Sequence, residues 1–344
     1  MKFFSFASLA LAGAFSSVAS AATACNNSPT LCNRNYNNIT YLGGHNSAFL
    51  RDASTDNSIS GNQYFNASVA LSAGLRLLQA QVHKENNTLR LCHTSCSLLD
   101  AGPLQNWLGD VKSWMDKNPN DVVTILLVDS DSATTDEYAS AFTGSGISEY
   151  GFTPSGSWPT LQSMINNGTR LVSYVTGITA SSSAPYLLNE WSYVFETAYN
   201  VISLTGFNCT LDRPTKAGTA SSALSSGLLG LANHFKYATG GTLQIPDVDN
   251  INIVNNAGTS TDGNIGKHLN TCNSEWSTKP TYVLVDFFSE GNPLDAVDSL
   301  NGISDVTGRT AAPARSTTSG VARPSKPFEF VAILTFLSAV LILC

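Results

Sequence analysis

Val122-Val123-Thr124-Ile125-Leu126-Leu127-Val128-Asp129 is an almost unbroken apolar run closed by a carboxylate. Its length suits a strand, and the absence of alternation argues burial on both faces, as in a parallel sheet covered by helices. Comparable runs recur at residues 39–43, 75–82, 89–93, 170–175, 193–197, 228–235 and 282–287, each bounded by Gly, Asn, Ser or Pro. Together they number eight, the count that closes a (β/α)8 barrel. Between them, helix spacing is clearest at 103–118, where Leu104, Trp107, Leu108, Val111 and Met115 share one face, and shorter at 136–142, 161–166 and 293–300. An open doubly wound sheet has the same periodicity, but no dinucleotide or phosphate-loop glycine motif supports it.

Both ends of the chain read as processing signals. Lys2, the apolar residues 3–15 and the small Ala19-Ser20-Ala21 form a secretory signal peptide spanning 1–21. Residues 304–326 are dominated by Thr, Ser, Ala, Pro and Gly and read as a flexible stalk. Residues 327–344 are hydrophobic and follow a polar spacer containing Arg323 and Lys326, the layout of a GPI-type lipid-anchor signal. A retained membrane helix is the rival, but the apolar part falls short of the roughly 20 residues needed to cross a bilayer. The folded domain is therefore expected over 22–303, an ordinary size for one barrel, in a monomer anchored at the cell surface.

Of seven cysteines, Cys344 leaves with the tail, and Cys25, Cys32, Cys92, Cys96, Cys209 and Cys272 remain as an even set. In a secreted chain that predicts disulfides, with Cys25–Cys32, Cys92–Cys96 and Cys209–Cys272 the simplest of the pairings open to six cysteines. Glycosylation sequons at Asn26, Asn38, Asn66, Asn86, Asn167 and Asn208 fit the same route. With 18 basic against 25 acidic side chains and no basic run, the composition excludes nucleic acid as a partner.

Thr40-Tyr41-Leu42-Gly43-Gly44-His45-Asn46-Ser47 places His45 at the carboxyl edge of a strand, which is the active-site rim of a barrel. His93 ends the run Leu89-Arg90-Leu91-Cys92-His93, and Cys96 stands close enough to staple the loop after it. Two imidazoles can divide the labour of phosphodiester cleavage, one taking a proton from an attacking hydroxyl and the other giving one to the leaving group. The reaction also needs a cation on the phosphoryl oxygens, for which the planar fork of Arg76 is suited. Alternation, however, sets Arg76 on the opposite face from Gln79 and Gln81 unless a bulge intervenes. His83 lies in a polar, hairpin-like loop and reads as solvent-exposed, His234 as a pocket contact or a packed ring, and His268 has no evident partner.

The His-Asn-Ser at His45, the Gly-x-Arg at Arg76, the Leu-Cys-His at His93, Asn118-Pro119 before the 122–128 run, and Leu284-Val285-Asp286-Phe287 jointly resemble one family. It is the phosphatidylinositol-specific phospholipase C-like phosphodiesterases, especially their bacterial-type and fungal secreted members, and the likeness covers most of residues 25–301. The resemblance implies a distorted TIM-type (β/α)8 barrel. It implies His45 as general base, His93 as general acid, Asp286 as the carboxylate orienting His45, and Arg76 as the phosphate ligand. Beside Arg76, the residues Asn46, Asp129 and His234 are expected as substrate contacts from their places at or near strand ends. Departures from the family pattern are informative: neutral Gln79 and Gln81 stand where calcium-dependent relatives carry carboxylates, so metal-independent chemistry without a cofactor is expected. Asp129 replaces a lysine of bacterial-type relatives, and Asn46 an aspartate.

The expected function is hydrolysis of a phospholipid or glycophospholipid headgroup diester. A catalytically weak barrel kept as a cell-surface binding protein is the alternative, motivated by Gln79, Gln81 and Asp129. A glycosidase drawing on Asp129, Asp131 and Asp286 would leave the histidine pair without a role.

Overall fold

The computed structural model describes residues 23–238 and 244–315. The proposed signal peptide, the part of the proposed stalk beyond Arg315 and the anchor signal lie outside the described residues. In chain order the strands are β1 Tyr41–Gly44, β2 Leu77–Glu85, β3 Thr88–Cys92, β4 Asp100–Pro103, β5 Val123–Asp129, β6 Leu171–Val175, β7 Leu187–Asn189, β8 Val194–Thr197, β9 Leu211–Arg213, β10 Leu229–Asn233 and β11 Tyr282–Val285. The helices are α1 Ala67–Ala73, α2 Leu104–Lys117, α3 Thr135–Gly144, α4 Leu161–Asn166, α5 Ala220–Ser225, α6 Ile251–Val254, α7 Ile265–Trp276 and α8 Pro293–Asn301.

Parallel ladders join the strands in the order β7-β6-β5-β2-β1-β11-β10-β8, so eight parallel strands curl around a common axis. The ladder stops between β7 and β8, and β9 lies antiparallel on the outer edge of β8. This is the expected TIM-type barrel with its distortion localised to one open seam. Seven of the eight expected runs are barrel strands. The eighth, 89–93, is instead β3, which folds back antiparallel on β2. Asn86 and Asn87, both at positive φ, make the two-residue turn between them, a conformation asparagine tolerates better than most residues. The missing barrel strand is β7, only three residues long and therefore without a readable pattern.

Strand parity sorts the core into two layers. Tyr41, Leu77, Leu126, Tyr174, Leu231, Tyr282 and Leu284 fill the barrel interior, while Leu42, Leu78, Ile125, Leu127 and Val283 pack outward against Leu104, Leu108 and Val111 of α2, Phe142 of α3 and Val297 of α8. Near the amino ends of the strands the interior turns polar: the Tyr36 hydroxyl meets Thr124 Oγ1 at 2.5 Å and the Tyr282 hydroxyl at 2.7 Å, which in turn meets the Tyr174 hydroxyl at 3.1 Å. Every member is buried and paired, so the layer closes that end without orphaned hydroxyls.

The three disulfides pair as proximity suggested: Cys25–Cys32, Cys92–Cys96 and Cys209–Cys272. The domain does not stop at residue 303. The Thr307 and Thr310 amides donate to the Asn27 and Ser72 carbonyls, both at 2.8 Å, Asp305 accepts from Ser28 and Thr30, and Arg309 pairs with Asp298. Residues up to Ala312 thus belong to the compact unit, and the stalk expected from 304 cannot begin before 313. Composition misled here because the contacts are backbone bonds and isolated ion pairs, which leave no periodicity. Five sequon asparagines, Asn38, Asn66, Asn86, Asn167 and Asn208, are exposed. Asn26 is the exception: it is buried, accepts from the Val122 amide at 2.7 Å, and leaves no room for a glycan on its side-chain nitrogen.

Candidate active site

The carboxyl ends of the strands surround a cavity of about 540 Å³ lined by His45, Asn46, Gln79, Gln81, His93, Glu196, Arg213, Asn233 and Phe235 among others. Alternation explains the membership. Continuing the interior positions of each strand upward gives His45 after Tyr41 and Gly43, Gln79 and Gln81 after Leu77, Asn233 and Phe235 after Leu231, and Asp286 after Leu284.

His45 is held from several sides. Its amide donates to the Val285 carbonyl at 2.8 Å, and Gln63 Nε2 donates to the carbonyls of His45 and Val285 at 2.8 and 3.0 Å. Its Nδ1 lies 2.8 Å from Asp286 Oδ1, a carboxylate that is 2% exposed and also accepts from Asn62 Nδ2 at 2.9 Å. Because that oxygen accepts, Nδ1 carries the hydrogen and the lone pair of the neutral ring falls on Nε2. Phe235 stacks on the imidazole at 3.6 Å between centroids with planes 2° apart, fixing the remaining rotation.

His93 reaches the same cavity from the loop after β3. Its amide donates to the Leu99 carbonyl at 2.9 Å, the Cys92–Cys96 bridge closes the loop, and Gln81 Oε1 accepts from the Thr94 amide at 2.8 Å. Phe49 meets the ring edge-on at 5.2 Å. Burial, and then the nearby His45, push the His93 imidazole down to about 4. Both rings are 7% exposed by residue, enough to meet a ligand and little enough to keep water scarce.

Three expected site residues lie elsewhere, each for reasons of parity. Arg76, 3% exposed, points out of the barrel: it pairs with Asp121, donates to the Leu71 and Leu75 carbonyls at 2.7 Å each, and sits against Trp114, lining a separate cavity with Asn118 and Asp121. No bulge rescues it. Asp129 follows the outward Leu127 and lines an adjoining cavity of about 790 Å³, which shares Val128 and Arg213 with the histidine cavity. His234, fully buried, turns its Nδ1 to His268 Nδ1 at 3.0 Å and its Nε2 to the Val254 carbonyl at 2.9 Å, so it is a packed ring and not a pocket contact. His83 is not in an open loop as expected but within β2 opposite Arg90, half-buried, with its ring 3.2 Å from Asp131.

A calcium ion would need oxygen donors from the strand ends around this cavity. Gln79 Oε1 already accepts from the Asn46 amide at 2.6 Å, Gln81 Oε1 from the Thr94 amide, and Asp129 faces the other cavity. Asn46 Oδ1 is buried without a partner, but the carboxylates nearest the cavity are already engaged, Asp286 with His45 and Glu196 with Arg213, which leaves fewer free oxygens than the six or more of a calcium cage. These residues do not fit the ion.

Several site residues carried no legible signal. Asn62 is remote in sequence from everything it touches, and Phe235 sits beside the more conspicuous His234. Glu196 and Arg213 pair across β8 and β9, but β9 is three residues long, too short for a readable pattern.

A curled parallel barrel that brings a carboxylate-oriented histidine and a second imidazole into one cavity defines the class of barrel phosphodiesterases. The chain belongs to the PI-PLC X domain family, whose description PI-PLC X 1 matches residues 31–301. It is 35% identical over 286 residues to the PI-PLC X domain-containing protein 1 of Arthroderma benhamiae, covering 81% of this chain and 90% of that protein. A second Arthroderma benhamiae protein, described as an uncharacterized secreted protein, is 31% identical over 278 residues, covering 78% of this chain and 61% of the relative. In fold the chain is similar to the phosphatidylinositol-specific phospholipase C of Listeria monocytogenes, with a TM-score of 0.50 at 13% identity, covering 79% of this chain and 94% of that one.

Proposed function

We propose that the chain is a secreted, membrane-anchored phosphoric diester hydrolase acting on a phospholipid-type headgroup by metal-independent acid/base catalysis. The observation that carries this reading is the Asp286–His45 pair at 2.8 Å facing a cavity that also receives His93. His45 Nε2 takes the proton of a headgroup hydroxyl next to the phosphate, and the freed oxygen attacks phosphorus. The bond from phosphorus to the lipid alcohol breaks, His93 gives that oxygen a proton, and a cyclic phosphate is left. Asp286 keeps the His45 tautomer and balances the imidazolium that forms. Water can then open the ring with the two roles exchanged.

Asn46 lines the same cavity, where its uncommitted Oδ1 can accept from a substrate hydroxyl, while His234 and Arg76 are withdrawn from the reaction. Asp129, in the adjoining cavity, can meet only a part of the substrate that extends past Val128. The secretory and anchoring parts of the proposal rest on residues 1–21 and 327–344 and on the description of one relative as secreted.

A screen of purified protein against phosphatidylinositol, other phospholipids and simple diesters, with a chelator present, tests the reading. Cleavage of at least one phospholipid, lost in His45→Ala and His93→Ala, is the expected result. Silence across the whole panel favours the second reading, a barrel retained for binding, which the uncharged Gln79 and Gln81 support.

A further inference from the structure

Charge builds on the phosphoryl oxygens as a diester is attacked, so a water-poor site without a metal must offer a cation. Arg76 is committed at the far end of the barrel. Lys236, the nearest lysine in sequence to the cavity residues Phe235 and Tyr237, is locked to Asp247. Among the described residues that line the histidine cavity, Arg213 is the one lysine or arginine. It arrives from β9, the antiparallel strand at the open seam, and lines the adjoining cavity as well.

Its setting is built. Nε donates to Glu196 Oε2 at 3.1 Å and Nη2 makes a closer bond to the same oxygen. The guanidinium carbon lies 4.4 Å from the Tyr199 ring centroid and 5.5 Å from that of Trp191, so two aromatic faces hold the fork. Nη1 makes no hydrogen bond among the described residues, and 35% of the side chain remains exposed. Beside Glu196 lies Glu190, wholly buried, its carboxyl close enough to Glu196 to share a hydrogen bond with it. Burial, followed by the adjacent Glu196, pushes the Glu190 carboxyl well above the usual carboxylate range, and Glu196 is the carboxylate in direct contact with the guanidinium.

We infer that Arg213 forms the phosphoryl-binding subsite of this cavity, offering Nη1 to a phosphate oxygen while Glu196 competes with the ligand for the same guanidinium. The subsite replaces a cation that the sequence placed at Arg76, and it rests on the phosphodiesterase reading. It carries an unusual corollary: removing a carboxylate from the cavity strengthens anion binding, because Glu196 no longer holds the fork.

The test is titration of the full chain with dimethyl phosphate, an inert diester monoanion, followed by phosphorus NMR with chelator present. Arg213→Gln is expected to weaken binding at least tenfold, Arg213→Lys about threefold because the charge stays and the fork is lost, and Glu196→Gln to tighten it severalfold. Phosphate binding equal to wild type in Arg213→Gln, or weaker binding in a folded Glu196→Gln, overturns the inference. So does a wild type that binds no dimethyl phosphate. If Arg213→Gln fails to fold, Arg213→Lys decides, and unchanged affinity there counts against the subsite. A wild type that binds through Arg213 yet cleaves no diester rejects the hydrolase reading and keeps the subsite. Diester cleavage undiminished in Arg213→Gln rejects the subsite and keeps the hydrolase.

Discussion

His45 and Asp286 form the smallest unit on which the account depends. Asp286→Asn keeps the size and a hydrogen-bonding group but presents either an amide hydrogen or a neutral oxygen to Nδ1, which unsettles the tautomer that leaves Nε2 bare. Turnover is expected to fall roughly 10²- to 10⁴-fold with far-UV circular dichroism unchanged. A loss below threefold would mean the carboxylate does not orient the base. His93 makes a different prediction. Burial holds it at about 4, so it enters the cycle neutral and must gain its proton as the anionic substrate arrives. Binding of dimethyl phosphate at pH 6 should therefore take up protons, seen as a buffer-dependent calorimetric heat that shrinks in His93→Asn. Equal heats in buffers of different ionisation enthalpy would contradict that order of events.

At the scale of elements, Gly43 shows why the motif before His45 is built as it is. Leu77 of β2 stands opposite it in register, and a Cβ on residue 43 would lie 2.6 Å from the Leu77 Cγ. Gly43→Ala forces that contact apart inside a filled barrel and is expected to cost about 1–3 kcal/mol, read from urea midpoints; a neutral result would show that β1 and β2 separate freely. Long elements with a plain apolar pattern are legible: β5 as a continuous run and α2 as a one-faced helical stripe lie within a residue of their expected bounds. α4 was placed at its observed bounds. α1, α5 and α7 were not, since Ala-Ser repeats and the Gly, Asn and His of α7 blur the helical stripe. Of the site, the residues on long strands could be assigned a face by alternation, which already opposed Arg76. What alternation on one strand could not supply was tertiary: which loop supplies Asn62, and that a three-residue strand returns Arg213 to the mouth.

The whole molecule ties its stability to pH through buried imidazoles. His93 and His268 are both pushed down to about 4, by burial before any other cause, whereas imidazoles of an unfolded chain titrate near ~6.5. Between those values the unfolded chain binds protons that the folded chain refuses, so stability rises with pH. The contribution is complete above about 6.5 and is lost as pH falls through about 4, each ring adding roughly 1.4 kcal/mol per pH unit within the window. Urea midpoints should drop between pH 7 and pH 5, and less steeply in a folded His268→Gln; a flat profile would remove the buried neutral rings from the account. Cys209–Cys272 closes the longest of the three loops, with a sequence separation of 63. Its double replacement by alanine should destabilise the chain by about 2–5 kcal/mol, because the unfolded chain is then no longer constrained by the bridge. Melting midpoints no lower than those of a Cys92/Cys96 double alanine variant would contradict this. The most direct measurement of the central claim is phosphorus NMR of phosphatidylinositol vesicles incubated with the purified chain and a chelator. The account predicts a cyclic phosphodiester resonance that appears with the wild type and is missing with His45→Ala and with His93→Ala. The same resonance growing undiminished in either variant would contradict it.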